Sequence, residues 1–187
     1  TVDKIKSKQP SVIQAWKEKV EIVPGSESES SAQFALKSLK AALEDLQANT
    51  IDALVTAPIN KKSIQSEDFQ FPGHTEFLQE ADEAEDSLML MISENAKIGV
   101  VTGHIPLSEV KSQLTTESIL KKITLLNKSL KEDFGVRKPK IAVMGLNPHA
   151  SDDGLMGDEE KNVITPAINQ AKSIGILAFG PFAADGF

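Results

Sequence analysis

The sequence contains no cysteine among its 187 residues. Without thiols, neither a disulfide framework nor a thiolate metal site is available to this chain. No apolar run approaches the ~20 residues that a membrane-spanning helix needs, and no secretory leader is visible. We therefore expect a cytoplasmic protein that does not enter a membrane.

A surplus of positive charge is also lacking. The chain has 20 Lys and Arg residues against 27 Asp and Glu residues, which gives a formal net charge of −7. Its lysines are interleaved with acidic residues along helical segments, a pattern typical of solvated helix surface. A nucleic-acid-binding protein usually shows a basic patch or stripe, so we exclude nucleic acid as a partner.

Three common nucleotide and hydrolase motifs are missing as well. The sequence has no GxGxxG fingerprint, no GxxxxGK[ST] phosphate loop and no GxSxG elbow. Any nucleotide cofactor would therefore have to be held in another way.

What is present is an alternation of apolar runs and helical stripes. With 40% apolar and 25% charged residues, the composition is that of a globular protein with a sizeable core. The alternation predicts an α/β protein with a largely parallel sheet and flanking helices. The expected elements are a helix around 32–46, a strand-like run at 51–56, strands at 87–92 and 97–102, a helix at 115–133, a strand at 140–145, a helix ending at Gly175 in which Pro166 marks a kink or the first turn, and a strand at 176–180.

Two of the three histidines follow apolar runs directly. His104 lies in "VVTGHIP" and His149 in "VMGLNPHA". In open α/β sheets, ligands bind outside the carboxyl ends of the strands, and imidazole is the commonest nitrogen ligand of first-row divalent ions. A single loop histidine is more often a surface residue than a metal ligand. Two histidines in matching loops make these two roles about equally probable. We expect the two rings to converge on one ion, although a catalytic site usually takes three protein ligands.

The third histidine, His74, lies in "PGHTE", just before an expected helix. Free N–H groups at a helix start suit an anion such as a phosphate, and we expect His74 to face the same cleft as His104. The simpler alternative is that Thr75 only caps the helix. The "NKK" at 60–62 adds two ammonium groups near a strand end, although alone it would be a solvated charge pair.

Five segments together resemble a known family. In this order and spacing, "VTAPINK", "FPGHTEF", "VVTGHIPL", "GLNPHASDDGLMGDEE" and "GPFAADGF" are similar to the 4-hydroxythreonine-4-phosphate dehydrogenases of pyridoxal phosphate biosynthesis. The resemblance runs from about Ser31 to Phe187. It implies an isocitrate/isopropylmalate dehydrogenase-like fold, and a homodimer with the active site at the subunit interface.

The resemblance also implies site residues. It implies a divalent cation (zinc, magnesium or cobalt) bound by three histidines, of which two match His104 and His149 and the third lies outside this chain. His74 and Thr75 match the pair that contacts the phosphorylated substrate. Three further residues are candidates for the catalytic or substrate vicinity: Asp185, Lys61 and Asn147.

The implied reaction is the NAD-dependent oxidation and decarboxylation of 4-phosphooxy-L-threonine to 3-amino-2-oxopropyl phosphate. The nearest alternative is a sister dehydrogenase that acts on threonate or erythronate 4-phosphate. A non-catalytic binding module or inactive fragment is an alternative of a different class. A metal-dependent hydrolase is less favoured, because no carboxylate accompanies either histidine at a familiar metal-motif spacing.

The two ends of the sequence suggest a fragment. It starts at Thr1 without a methionine and stops in the loop "FGPFAADGF". We expect residues 1–187 to be the central part of one α/β catalytic protein, with residues 1–27 the least distinctive and the family's terminal segments missing. The sequence departs from the family it resembles at the acidic "ASDDGLMG", where a smaller "AGEGG"-like loop is commoner in that family. Alone, this stretch is expected to bind metal weakly and to show no turnover.

Overall fold

A computed structural model describes residues 10–21 and 23–187. The described residues form two compact units, one ending at Asp86 and the other running from Ser87 to Phe187. Part of the expectation for residues 1–27 falls on residues 1–9 and Ile22, which lie outside the described residues. Within the described ranges, no helix is both long enough and apolar enough to cross a membrane.

The first unit is built on helix α1, Glu29–Gln47, which confirms the predicted stripe. Ser28 is the N-cap, and its hydroxyl oxygen accepts the backbone N–H of Ser31 at 3.1 Å. Such a cap satisfies one of the N–H groups left without partners in the first turn. The buried face of the helix consists of Ala32, Leu36, Leu39 and Leu43.

An aromatic cluster packs with this face and positions the second helix, α2, His74–Ala81. The rings of Phe69, Phe71 and Phe77 lie 5.3 to 5.5 Å apart, centroid to centroid, in tilted and edge-on contacts. Aromatic pairs at this spacing gain about 0.5–1.5 kcal/mol beyond the area they bury. Since Phe77 belongs to α2, the cluster holds that helix against the core of the first unit.

The strand expected at 51–56 is not present in the structure. The segment belongs to no strand, and the Val55 side chain is 95% exposed. The residues of this segment favour strand formation, but that preference depends on packing against neighbouring strands. Among the described residues, no strand pairs with this segment.

The second unit opens with an antiparallel hairpin of β1, Leu90–Ile92, and β2, Lys97–Gly99. This confirms the predicted strand–turn–strand, with shorter strands. A 3₁₀ turn at Leu107–Glu109 and the short helix α3, Val110–Gln113, follow. Helix α4, Thr116–Glu132, then confirms the helix predicted at 115–133.

The core of the second unit lies between α4 and a parallel strand pair. β3, Lys140–Met144, pairs with β4, Leu177–Phe182, and α5, Thr165–Ser173, connects them. The buried residues of this core are Ile119, Ile123, Ile141, Ile164, Ala167, Ile168, Ala171, Ile176 and Ala178.

The helix between the parallel strands resolves the ambiguity at Pro166. A π-helical turn, Glu160–Ile164, runs directly into α5, and Pro166 lies in the first turn of α5, where the helix changes from π to α geometry. Gly175 follows the helix with φ +83°, the left-handed conformation expected after a helix end.

The sheet is smaller than expected. The described residues contain two separate two-stranded sheets, one antiparallel and one parallel, instead of one largely parallel sheet. The α/β class is confirmed, because helices pack on a parallel strand pair. The difference arises because no third strand pairs with β3 or β4 in the described part of the chain.

Candidate active site

The parallel pairing of β3 and β4 brings two distant loops together. Both strands end at the same edge, so the loop after β3 meets the segment after β4. There the Nδ1 atom of His149 lies 2.6 Å from Oδ2 of Asp185, and the backbone N–H of His149 donates to Oδ1 of Asp185 at 3.1 Å. The two residues are 36 positions apart in sequence. One carboxylate therefore holds both the ring and the backbone of His149.

This pair has the arrangement that an exposed ligand histidine needs. The backbone N–H of Asp185 itself, and next that of His149, lower the pKa of the Asp185 carboxyl below its ordinary value, so it is ionised at neutral pH. With Nδ1 facing the carboxylate, Nε2 of His149 is the nitrogen left for another partner. Metal-binding histidines commonly donate their second ring N–H to a carboxylate in this way.

The backbone at His149 is left-handed. Five successive residues, 149–153, have φ between +46° and +69°. Non-glycine residues adopt this conformation singly and at a cost of roughly 1–2 kcal/mol each, so a run of five requires support from its surroundings. Three backbone hydrogen bonds support the turn: Ala150 N to Asn147 O at 3.1 Å, Leu155 N to Asp152 O at 3.3 Å, and Met156 N to Ser151 O at 3.1 Å.

A buried carboxylate holds the start of this loop. Glu160 is 3% exposed, and its Oε1 accepts the backbone N–H groups of Leu146 at 2.8 Å and Asn147 at 2.7 Å. Its Oε2 accepts the Asn147 side-chain amide at 3.0 Å. Burial raises the pKa of Glu160, but these hydrogen bonds outweigh it and leave the pKa below its ordinary value. The ionised form therefore suits this site.

A second buried carboxylate shares the same amide. Glu159 accepts the Asn147 amide at 2.9 Å and forms an ion pair with Lys111 of α3. Lys111 and, after it, Asn147 lower the pKa of Glu159 to about 2, and Glu159 raises the pKa of Lys111. The Asn147 amide, a candidate for the substrate vicinity, is therefore bonded to two carboxylates of its own chain.

Two glycines allow this close packing. A Cβ added at Gly157 would lie 2.5 Å from Oε2 of Glu159 and 2.7 Å from Nδ2 of Asn147, and the φ of Gly157 is +120°. A Cβ at Gly145 would lie 3.0 Å from Cα of Ala150 and 3.1 Å from Oε1 of Glu160. Both positions need glycine for space.

His104 lies in a less supported loop. Its side chain is exposed, and no described side chain bonds to its imidazole. Nearby, the N–H of Ile105 donates to the carbonyl of Gly103 at 2.9 Å. Across residues 10–21 and 23–187, no group of three His, Asp or Glu side chains could hold a metal ion. The structure joins His149 with Asp185 and does not add His104 to them as a third member.

In the first unit, the loop at His74 starts a helix as predicted, one residue earlier than Thr75. Gly73 is the N-cap and has no side-chain capping bond, so the simpler alternative that Thr75 caps the helix is wrong. His74 is half-buried and Thr75 is exposed. The Lys61 side chain lies alongside, since a Cβ at Gly73 would be 3.8 Å from its Cε and 4.0 Å from its Nζ.

Sequence reasoning missed three residues of the His149 surroundings. Lys111, Glu159 and Glu160 resemble ordinary surface charges in the sequence, and the two acids suit the first turn of an exposed helix. The one available sign is the adjacent "GDEE", where glycine precedes paired acids shortly after the histidine loop.

The parallel pair and its strand-end loops define an α/β protein with a candidate ligand site at the carboxyl ends of the strands. The chain matches, over residues 1–187, the family model described as pyridoxal phosphate biosynthetic protein PdxA. It therefore belongs to this family, which confirms the resemblance found in the motifs.

Individual relatives agree with this assignment. The chain is 42% identical over 178 residues to a 4-hydroxythreonine-4-phosphate dehydrogenase of Bacteroides thetaiotaomicron, covering 95% of this chain and 49% of that protein. It is 41% identical over 161 residues to one from Sulfurihydrogenibium, covering 86% of this chain and 50% of that protein. A crystal structure of the Klebsiella pneumoniae enzyme of that name superposes with a TM-score of 0.81 at 30% identity, covering 88% of this chain and 49% of that one. The chain thus spans about half the length of the curated relatives it matches.

Proposed function

We propose that the full-length protein is an NAD- and metal-dependent dehydrogenase that oxidises and decarboxylates 4-phosphooxy-L-threonine to 3-amino-2-oxopropyl phosphate. The observation that carries this proposal is the His149–Asp185 pair in the "NPHA" loop of a chain that belongs to the PdxA family. The names of the relatives support the substrate. The proposal includes an isocitrate/isopropylmalate dehydrogenase-like fold and a cytoplasmic homodimer with its active site at the interface.

The residues present fit a divalent cation such as zinc, magnesium or cobalt. Asp185 holds Nδ1 of His149, which leaves Nε2 as a ligand atom. His104 is the second ligand in this proposal, and a third comes from outside residues 1–187. When bound, the cation withdraws electron density from the substrate oxygen and NAD accepts the hydride. The part of this chain is to hold and orient the ligand histidine.

The phosphate end of the substrate is assigned to the loop before α2. The first N–H groups of this helix have no side-chain cap, and they carry partial positive charge. His74 and Thr75 occupy this first turn, and Lys61 lies beside Gly73 and supplies an ammonium group. These donors together match the charge and the hydrogen-bonding needs of a phosphate.

The test uses the full-length protein and NADH absorbance. Turnover is compared for 4-phosphooxy-L-threonine, threonate 4-phosphate and erythronate 4-phosphate, each with zinc, magnesium or cobalt. We expect turnover with the threonine phosphate and its loss in a chelator. Turnover only with the threonate or erythronate compound would move the assignment to the sister enzyme, and metal-independent turnover would contradict the cation.

Cobalt binding supplies a second readout of the ligand set. His104→Ala and His149→Ala should each weaken cobalt binding by at least the ~10–100-fold seen when outer-shell partners are removed. Lys128→Met is the matched control, because Lys128 is an exposed lysine that pairs with the exposed Glu132 within α4. The isolated 187-residue chain should bind cobalt weakly and show no turnover.

A further inference from the structure

We propose that a hydrogen-bonded chain of four residues, the carboxylate bridge, fixes the His149 loop relative to the segment that follows His104. The bridge consists of Lys111, Glu159, Asn147 and Glu160. Its members are positioning residues and not ligands, and their role in the site rests on the proposed function.

At one end, the bridge holds the backbone that leads to His149. Glu160 binds the N–H groups of Leu146 and Asn147, the first two residues of the loop after Gly145. His149 comes two residues later, at the start of the left-handed turn. Because two N–H groups converge on one buried carboxylate oxygen, a shift of this backbone would leave that oxygen without partners, which is costly.

At the other end, the bridge reaches the segment after His104. Only five residues separate His104 from the start of α3, and a 3₁₀ turn at Leu107–Glu109 lies between them. Lys111 of α3 pairs with Glu159, whose other oxygen accepts the Asn147 amide. The amide of Asn147 thus links two carboxylates. One is Glu159, which pairs with Lys111 in the segment after His104. The other is Glu160, which binds the backbone before His149.

The bridge members also differ from an ordinary surface ion pair. Lys111 is 75% exposed, but both carboxylates are buried and no buried polar side-chain atom in the described residues lacks a partner. A Cβ at Gly157 would collide with Glu159 and Asn147, so there is no free space around the contact between these two side chains. Satisfied buried networks of this kind specify one arrangement of the groups they join.

The first test measures the separation of the two loops directly. The chain has no cysteine, so Leu107→Cys and Leu155→Cys can carry spin labels once any cysteine elsewhere in the full-length protein is replaced. These leucines are 89% and 83% exposed, one in each loop segment. Pulsed EPR, or dipolar line broadening at short range, gives the distance distribution in labelled protein diluted with unlabelled protein.

We expect Lys111→Met to shift or broaden this distribution, and Lys111→Arg to keep it close to wild type. Lys128→Met removes a lysine of similar exposure whose partner, Glu132, is also exposed, and it should leave the distribution unchanged. An unchanged distribution in Lys111→Met, or equal broadening in Lys128→Met, would overturn the bridge. Since Lys111 is a surface residue, this variant is expected to fold, and its circular dichroism verifies that.

The second test connects the bridge to the site. Cobalt affinity should fall in Lys111→Met toward the ~10–100-fold loss typical of outer-shell changes, with recovery in Lys111→Arg. If Lys111→Met broadens the distance distribution but keeps wild-type cobalt affinity, the bridge has no role in positioning the cation site. If the wild-type protein binds no cobalt through its histidines, the proposed function fails, whereas the EPR result still decides whether the bridge fixes the loops.

Discussion

The two histidine loops of the second unit both follow apolar runs, but they differ greatly in the contacts that hold them. His149 is held at its ring and backbone by Asp185, and the start of its loop is bound by Glu160. His104 is exposed and has no side-chain partner among the described residues. A histidine after an apolar strand is therefore not sufficient for a preorganised site, because the neighbouring carboxylates decide it.

The strand pairing explains this difference. β4 runs parallel to β3, so its carboxyl end delivers Asp185 to the loop that carries His149. β2 pairs with the antiparallel β1, so the carboxyl ends of these two strands lie at opposite ends of the hairpin. No strand end therefore arrives beside His104 from β1.

The largest expected effect comes from removing either histidine in the full-length protein. His149→Ala and His104→Ala should each reduce turnover by at least ~100-fold, because each supplies one of the few ligands of the cation. NADH absorbance measures turnover, and circular dichroism shows whether the fold is kept. Wild-type turnover in His104→Ala alone would mean that only the supported loop serves the site.

Gly157→Ala should sharpen the contrast by loosening the His149 loop. The left-handed backbone and the close contacts with Glu159 and Asn147 together predict a loss of about 3 kcal/mol in the free energy of unfolding. Urea denaturation measures this loss. Gly154→Ala is the matched control, because Gly154 also has a positive φ, +100°, but open space around it, so only about 1 kcal/mol should be lost.

Asp185→Asn should make the His149 loop behave like the His104 loop. We expect cobalt affinity to fall ~10–100-fold, because the ring loses the carboxylate that orients it. Asp153→Asn, an exposed acid in the same loop, is the control. Equal losses in both variants would mean that the overall charge of the loop matters and not the contact with His149.

The same pair predicts a dependence on pH. The folded-state pKa of Asp185 is lowered, so its contribution to stability is fully present above the ordinary value of 3.8 and is lost as the pH falls through the lower folded-state value. The stability difference between wild type and Asp185→Asn should therefore shrink in acid. A difference that grows below pH 3.8 would contradict the sign.

The smallest expected effect is a gain. Asp153→Gly should raise the free energy of unfolding by up to about 1 kcal/mol, because Asp153 is exposed at φ +57° and glycine adopts this conformation without strain. Asp82→Gly, at φ −90°, should bring no such gain. A loss of stability in Asp153→Gly would mean that the side chain makes contacts that support the turn.

The sequence predicted the helices and the strands of the second unit well, because apolar spacing and caps are local properties. It also placed His149 and Asp185 in strand-end loops. The left-handed turn could not be predicted, because Ala150 and Ser151 have no preference for positive φ, and the tolerance of His149, Asp152 and Asp153 for it does not specify a run of five. Long-range contacts set that backbone.

The same reasoning explains the two failures in the fold. The run at 51–56 has strand-forming residues, but strand formation needs a neighbour that local sequence does not specify. The prediction of a single sheet fails because an apolar run does not specify which other strand it pairs with. Buried Glu159 and Glu160 were missed, since burial of a charge depends on partners supplied by distant residues such as Lys111.

Residue count matters to this site as much as residue identity. Between Ala142 and Met144 of β3 there is one residue, whereas two residues, Gly180 and Pro181, separate their partners on β4, so β4 carries one residue more at this point. Deleting one residue there would draw Asp185 back by roughly 3.3 Å and reverse the faces of the residues beyond it. Asp185 would then miss His149 although every functional residue remained. A one-residue change of length in the segment between Phe182 and Asp185 would displace the carboxylate in the same way. The length of this segment is therefore constrained as well as the identity of its residues.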